Sequence, residues 1–301
     1  MTRPLIIIHG GAGAPPSLMN DGCEAAAKAA VALLRRGRPA LDAVIEAVRL
    51  LENDGRFNAG SGSVLRLDGV SVEMDASVMD STGTLGAVAG LSSVRNPVLV
   101  ARRVADTPHV FMAGPGAIAF ARTCGFRPYA AKVSRRAIER HKALLRGLMA
   151  GDEKVTPSRW RAFDLRRYWN FERSLADVQR SCDTVGAVAI DERGTFAVAG
   201  STGGASPMLR GRVGDTPLIG CGFYAGEYGA VAATGIGEEI IRRMLCRRVY
   251  DDLASGIHPQ QACEQAATDF PADAPVGLIA VTAKSHAVAS NVPMAQAILS
   301  F

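Results

Sequence analysis

The chain has 301 residues, 34 Lys+Arg against 29 Asp+Glu for a formal charge of +5, 48% hydrophobic residues and 32 glycines. That is enough apolar mass for one layered α/β-type domain, and no apolar run reaches the roughly 20 residues a membrane-spanning helix needs. Between residues 131 and 180, 13 Lys+Arg face 6 Asp+Glu, a surplus of seven, so the rest of the chain is slightly acidic. A nucleic-acid-binding face on the core is therefore disfavoured.

In chain order, Leu5 to Ile8 is too short for the apolar stretch of a signal peptide and reads as a core strand, which predicts a cytoplasmic protein without membrane attachment. Alanine-rich residues 22–36 and residues 40–51 have helical apolar spacing. Residues 63–69, 72–79 and 86–91 read as strands of one sheet, and Asn96-Pro97 opens a third helix with proline in its first turn. The basic stretch that follows, about 131–183, reads as a mobile, partly helical linker. Its arginines interleave with Trp160 and Trp169, which keeps RNA binding as a formal alternative.

Beyond it, Val185 to Ile190, the turn Asp191-Glu192-Arg193-Gly194 and Phe196 to Gly200 form a predicted hairpin. Val231 to Ala233 reads as a short buried strand and residues 237–248 as a helix. Periodicity alone gives α/β or α+β. The six cysteines form no C-x-x-C pair and no metal-like cluster, so they are expected to be reduced, and the five histidines give no signature for a cysteine nucleophile.

The chemistry concentrates around Cys182-Asp183-Thr184-Val185-Gly186. A threonine hydroxyl inside a chain is a weak nucleophile that needs a base. Cutting between Asp183 and Thr184 would free an α-amine on the nucleophile's own residue, with a reference pKa of roughly 7.7–8.0, and no histidine is then required. Pairing the hairpin about residues 191–194 sets Thr202, in Ser201-Thr202-Gly203-Gly204, beside Thr184. An ordinary hairpin with threonine at its strand start is the plain alternative. In Gly211-Arg212-Val213-Gly214-Asp215, a planar guanidinium matches a carboxylate and an aspartate can hold an ammonium, as an amino-acid α-carboxylate and α-ammonium require. A local ion pair within a turn is the other reading. Thr234 and Gly235 fall at a strand-to-helix junction whose backbone N–H groups favour developing negative charge, with the Thr234 hydroxyl as a second donor. Gly235-Ile236-Gly237 is also half of a dinucleotide-binding loop, but its third glycine is missing.

Together these motifs resemble the plant-type (class 3) L-asparaginase and isoaspartyl peptidase family, which includes the glycosylasparaginases and belongs to the N-terminal nucleophile hydrolases. The resemblance begins at Ile7-Ile8-His9-Gly10-Gly11-Ala12-Gly13 and Arg56-Phe57-Asn58-Ala59-Gly60-Ser61-Gly62. It continues through Met74-Asp75-Ala76-Ser77-Val78-Met79-Asp80, Gly86-Ala87-Val88-Ala89-Gly90 and Arg95-Asn96-Pro97-Val98, and covers most of residues 4–245. It implies an α+β fold, the αββα sandwich of two stacked, mainly antiparallel sheets between helix layers. It implies a single domain over 1–301, cleaved by itself into 1–183 and 184–301, and a dimer of such pairs.

By the same resemblance Thr184 is the nucleophile and new N-terminus, and Thr202 and Thr234 are its supporting threonines. Thr234 and the Gly235 N–H form the oxyanion site, Arg212 and Asp215 are the clamp for the aspartyl α-groups, and Gly237 is a backbone contact to the α-carboxylate. Asn58 is a residue close to the nucleophile. The loop carrying Leu51, Glu52, Asp54, Phe57, Ala59 and Ser61 resembles one that binds a structural sodium ion through carbonyl oxygens; the chemistry itself calls for no cofactor. The implied reaction is hydrolysis of L-asparagine or β-aspartyl dipeptides. Asp183 stands where the asparaginases usually have glycine, as in the glycosylasparaginases, which makes cleavage of glycosylasparagine the close rival. An unprocessed relative that only binds a ligand is the rival from another class. The segment from Asp273 to Phe301 departs from the family pattern, in Asp273-Ala274-Pro275-Val276-Gly277-Leu278-Ile279 and Asn291-Val292-Pro293-Met294-Ala295.

Overall fold

The computed structural model describes residues 3–130, 146–148, 150, 152, 158–161, 163–165, 167–171 and 184–301. Most of the basic linker, together with Cys182 and Asp183, lies outside the described residues.

The N-terminal half runs β1 (Leu5–Ala12), α1 (Pro16–Leu34), α2 (Ala40–Asp54), a 3₁₀ turn (Gly60–Gly62), β2 (Met74–Asp80), β3 (Leu85–Leu91), α3 (Pro97–Val104), β4 (Phe111–Ala113) and α4 (Gly114–Thr123), followed by the single turn α5 (Ser158–Arg161). The C-terminal half runs β5 (Val185–Ile190), β6 (Phe196–Thr202), β7 (Phe223–Gly226), β8 (Gly229–Gly235), α6 (Gly237–Arg243), α7 (Leu245–Ala254), α8 (Pro259–Thr268), β9 (Val276–Val281), β10 (His286–Ser290) and β11 (Met294–Ser300). The chain is α+β, with one seven-stranded sheet in the order β11-β1-β5-β6-β2-β3-β4 and one four-stranded sheet in the order β10-β9-β8-β7. Among the described strands all pairings are antiparallel except β3 with β4.

Strand alternation explains how the sheets are used, because successive side chains point to opposite faces. On β5, Val188 and Ile190 join Ile7 of β1 and Phe196 and Val198 of β6 in an apolar cluster with Phe223, Ala232 and Ile279 from the smaller sheet. The intervening residues Val185, Ala187 and Ala189 pack instead with buried residues of α1, α2 and α3. A third cluster joins β8 and β9 to α7 and α8.

The predicted helices and the hairpin are present, with three corrections. α1 begins at Pro16, six residues before the predicted start, because proline is favoured in a helix's first turn. Residues 63–69 form no strand: Arg66 and Ser71 close a turn (Arg66 N to Ser71 O, 2.8 Å), and the Asp68 carboxylate accepts from the N–H groups of Val70 and Ser71. The predicted helix 237–248 is two helices, because Met244 adopts φ 45°, left-handed backbone that both ends α6 and starts α7.

Candidate functional site

The register of three adjacent strands assembles the first part of the site. Val185 pairs with Ser201 across β5 and β6, so Thr184, one residue earlier, falls opposite Thr202. The Thr184 and Thr202 hydroxyl oxygens are 3.1 Å apart, and the Gly204 N–H donates to Thr202 Oγ1 at 2.9 Å. Asp75 of β2 pairs with Thr202 on its other side. Directly opposite residues of an antiparallel pair project to the same face, so Thr184, Thr202 and Asp75 stand in a row facing the smaller sheet.

That sheet contributes Thr234 and Gly235 at the end of β8. Thr234 Oγ1 accepts from the Ala12 N–H at 3.2 Å, which ties it to the end of β1. Gly235 has φ 144°, a backbone open to glycine alone, and a Cβ there would come within 2.2 Å of the Pro275 carbonyl oxygen. Thr184, Thr202, Thr234, Gly235, Arg212 and Asp215 all line one cavity of about 50 Å³, together with Ala12, Pro275 and the backbone around Gly204 and Gly214.

Arg212 is not in a local ion pair with its own turn. Its Nε and Nη2 each donate to a Glu238 oxygen at 3.0 Å, so a carboxylate in the first turn of α6 fixes the plane of the guanidinium. Asp215 is buried, with Oδ2 making no hydrogen bond. Burial pushes its carboxyl up to about 7, with the neighbouring Arg212 acting in the opposite sense. A Cβ on Gly237 would lie 2.8 Å from Arg212 Nη2 and 2.9 Å from Asp215 Oδ1, so the start of α6 abuts both charged groups. Gly237 is adjacent to the cavity rather than part of its lining.

Asn58 is buried but does not bond to Thr184. Its Nδ2 donates to Gly204 O (2.7 Å) and its Oδ1 accepts from Val64 N (2.9 Å), which braces the segment after Thr202. His9 lies inside β1, opposite Gly186, and neither ring nitrogen has a hydrogen-bond partner. Burial pushes its imidazole down to about 3, so it is neutral; the Thr184 backbone acts against this shift. Cys23, Cys221, Cys246 and Cys263 are buried free thiols pushed up by burial, which is the reverse of an activated nucleophile.

The residues expected to hold a monovalent cation cluster at the C-terminal end of α2, where the last carbonyls lack helical partners and the helix dipole is negative. A Cβ at Gly60 would lie 2.6 Å from Glu52 O, and one at Gly62 would lie 2.0 Å from Phe57 O and 2.8 Å from Gly55 O, so backbone oxygens of the α2 end lie close against both glycines. Ser61 Oγ donates to Glu52 O at 2.7 Å.

Several groups around the site went unread in the sequence: Glu238, Asp75, and a buried Glu52 side chain that accepts from Ser201 Oγ, Val98 N and Asn96 Nδ2. Glu238 was legible in one respect, as an acid in the first turn of the helix after Gly235; its pairing with Arg212 depends on the tertiary fold.

The asparaginase family model (Asparaginase_2) matches residues 2–298. The plant-type L-asparaginase of Pyrococcus horikoshii is 41% identical over 93% of this chain and 90% of its own length. The isoaspartyl peptidase/L-asparaginase of Danio rerio is 40% identical, and that of Homo sapiens 36% identical, each over 87% of this chain and 80% of its own length. Matched across nearly its entire length, the chain belongs to the asparaginase family.

Proposed function

We propose that this chain is a self-processing threonine amidohydrolase that cleaves the β-amide of L-asparagine and the β-peptide bond of isoaspartyl dipeptides, releasing L-aspartate. The observation that carries it is the pair of threonine hydroxyls 3.1 Å apart, in one small cavity with Arg212 and Asp215. In this reading Thr184 Oγ1 first attacks the carbonyl of Asp183, and the C–N bond breaks to leave an ester on Oγ1 and a free α-amine. Water hydrolyses that ester, dividing a single αββα domain of N-terminal nucleophile type into 1–183 and 184–301. The freed α-amine then takes the hydroxyl proton as Oγ1 attacks the substrate β-carbonyl.

The tetrahedral oxyanion is stabilised by Thr234 Oγ1 and the Gly235 N–H. The leaving amine collects the proton, and water hydrolyses the aspartyl ester to aspartate and free threonine. Arg212 meets the substrate α-carboxylate beside Gly237, and the unpartnered Asp215 oxygen meets the α-ammonium. Asn58 acts by holding Gly204. Sodium at the carbonyls of Leu51, Glu52, Asp54, Phe57, Ala59 and Ser61 would stiffen the loop that carries Asn58 and takes no part in bond making.

The chain is further read as cytoplasmic, in keeping with buried free cysteines, and as a dimer of cleaved pairs. Among the described residues no helix is long and apolar enough to cross a membrane. Asp183 favours glycosylasparagine as the second substrate class, and relative rates on the three substrates decide between them. Intact mass over several days tests the reading first. Cutting before Thr184 divides 31.6 kDa into pieces of about 19 and about 12 kDa, the smaller beginning Thr-Val-Gly-Ala. A chain that stays whole and turns over nothing is instead a binding protein.

A further inference from the structure

The loop carrying Arg212 is a thin wall. Arg212 and Gly214 line the small cavity, whereas Gly211 and Val213 line an open cavity of about 720 Å³ on the loop's far side. A loop with space on both faces has little packing to hold it, so its position depends on a few hydrogen bonds. One is made by Glu73, just ahead of β2, whose Oε2 accepts from the Gly211 N–H at 2.8 Å.

Glu73 is held in turn by Arg66. The Arg66 side chain is wholly buried, with Nε 3.1 Å from Glu73 Oε2 and Nη2 donating to the Glu73 carbonyl oxygen at 3.2 Å. Its third nitrogen rests against Met208 Sδ. A buried guanidinium needs a charge partner, and Glu73 is its ion-pair partner. The pair thus fixes a carboxylate at the loop's edge, whose other oxygen lies 3.9 Å from Arg210 Nε.

We infer that Arg66 and Glu73 act together as positioning residues for the substrate clamp, setting Arg212 and Asp215 through the Gly211 N–H. This inference rests on the reading of Arg212 and Asp215 as that clamp. Clamp contacts to α-groups far from the reacting carbonyl bind ground state and transition state alike, so their misplacement shows in KM rather than kcat.

The test is the double variant Arg66→Met/Glu73→Leu, which removes the pair without leaving a buried charge and is expected to fold. Wild type and variant are compared by intact mass, by L-asparagine kinetics and by calorimetric L-aspartate binding. The variant should process normally, with KM raised and aspartate affinity lowered by about tenfold, while kcat stays within about threefold. Arg66→Lys, which keeps the charge but not the planar fork, should fall between the two. Unchanged KM and aspartate affinity overturn the inference even if the melting temperature drops. So does a fall in kcat at constant KM, which would mean that Arg66 acts instead through Gly204, whose Cβ position lies 3.5 Å from its Nη1. If wild-type protein neither hydrolyses asparagine nor binds aspartate, the clamp reading itself fails and takes this inference with it.

Discussion

Thr184 and Thr202 are set side by side by the register of one hairpin, 18 residues apart in sequence. The clamp is fixed differently: Arg212 is oriented by Glu238, 26 residues on, and Gly211 is held by Glu73, 138 residues back. The two threonines inherit the rigidity of a seven-stranded sheet, whereas the loop of the proposed clamp has cavities on both sides and is pinned by charged hydrogen bonds. Damage at the first end should therefore abolish chemistry at unchanged stability, and damage at the second should loosen substrate while leaving chain cleavage intact.

The largest expected effect is that of Thr184→Ala. The chain should remain at 31.6 kDa, and turnover should fall by about 10⁴-fold or more, because the nucleophile and its amine base are lost together. Thermal unfolding should stay within about 0.5 kcal/mol of that of unprocessed wild type, since Thr184 is half-buried and its side chain makes one hydrogen bond. Residual turnover by a fully uncut Thr184→Ala chain would remove Thr184 from the mechanism.

Asp215→Asn comes next. Losing the charge opposite the substrate ammonium should lower kcat/KM by about 10²-fold, mostly through KM, while the chain still cuts itself. An Asp215→Asn chain that fails to process would show that the clamp and the nucleophile are one unit, and the comparison of the two ends would collapse.

The same contrast decides what could be read from the sequence. Thr184, Thr202 and the turn between them are local, and strand periodicity with turn residues at 191–194 was sufficient to bring the hydroxyls together. Arg212 and Asp215 were legible as a charged pair in a glycine-flanked loop, but not their partners. Which carboxylate meets a guanidinium across 26 or 138 residues is settled by sheet order and helix packing, for which single-sequence periodicity carries no signal. Residues 63–69 misled for a related reason. Ser63-Val64-Leu65-Arg66-Leu67 has strand-like composition, yet Arg66 turns inward to meet Glu73, and a buried ion pair overrides β-propensity.

A pH profile sharpens the comparison further. On the proposed mechanism Asp215, pushed up to about 7, must be ionised in the free enzyme to receive the substrate ammonium, and the Thr184 α-amine, of a type whose reference value is roughly 7.7–8.0, must be neutral. Both requirements are lost as pH falls, so log kcat/KM should approach a slope of two on the acid side. In the complex the bound ammonium keeps Asp215 ionised, and log kcat should have a slope of one. Asp215→Asn should reduce the kcat/KM limb to a slope of one as well. A slope of one in wild-type kcat/KM would mean that Asp215 is already ionised when substrate arrives.

The smallest effect concerns Glu52, which bonds to Ser201, the neighbour of Thr202, and so ties the end of α2 to β6 beside the proposed nucleophile. Burial pushes its carboxyl from an ordinary 4.5 up to about 7, against the pull of its three hydrogen-bond donors. An acid whose folded pKa is raised holds its proton in the folded state over a range where the unfolded chain has released it. Its contribution is thus fullest below about pH 4.5 and declines as pH rises to about 7. Asp75, pushed up to about 6, and Asp215 act in the same sense, and His9, pushed down to about 3, acts in the opposite one, so only a difference between proteins isolates Glu52. Glu52→Gln removes the titration but turns an amide N–H₂ toward a donor, at a cost of about 1–3 kcal/mol. Its melting temperature should therefore lie a few degrees below wild type near pH 4.5, with the gap narrowing toward neutrality as the wild-type carboxyl ionises in place. Parallel melting curves across that range would show that Glu52 does not titrate where its burial puts it, and that the link from α2 to Ser201 is insensitive to charge.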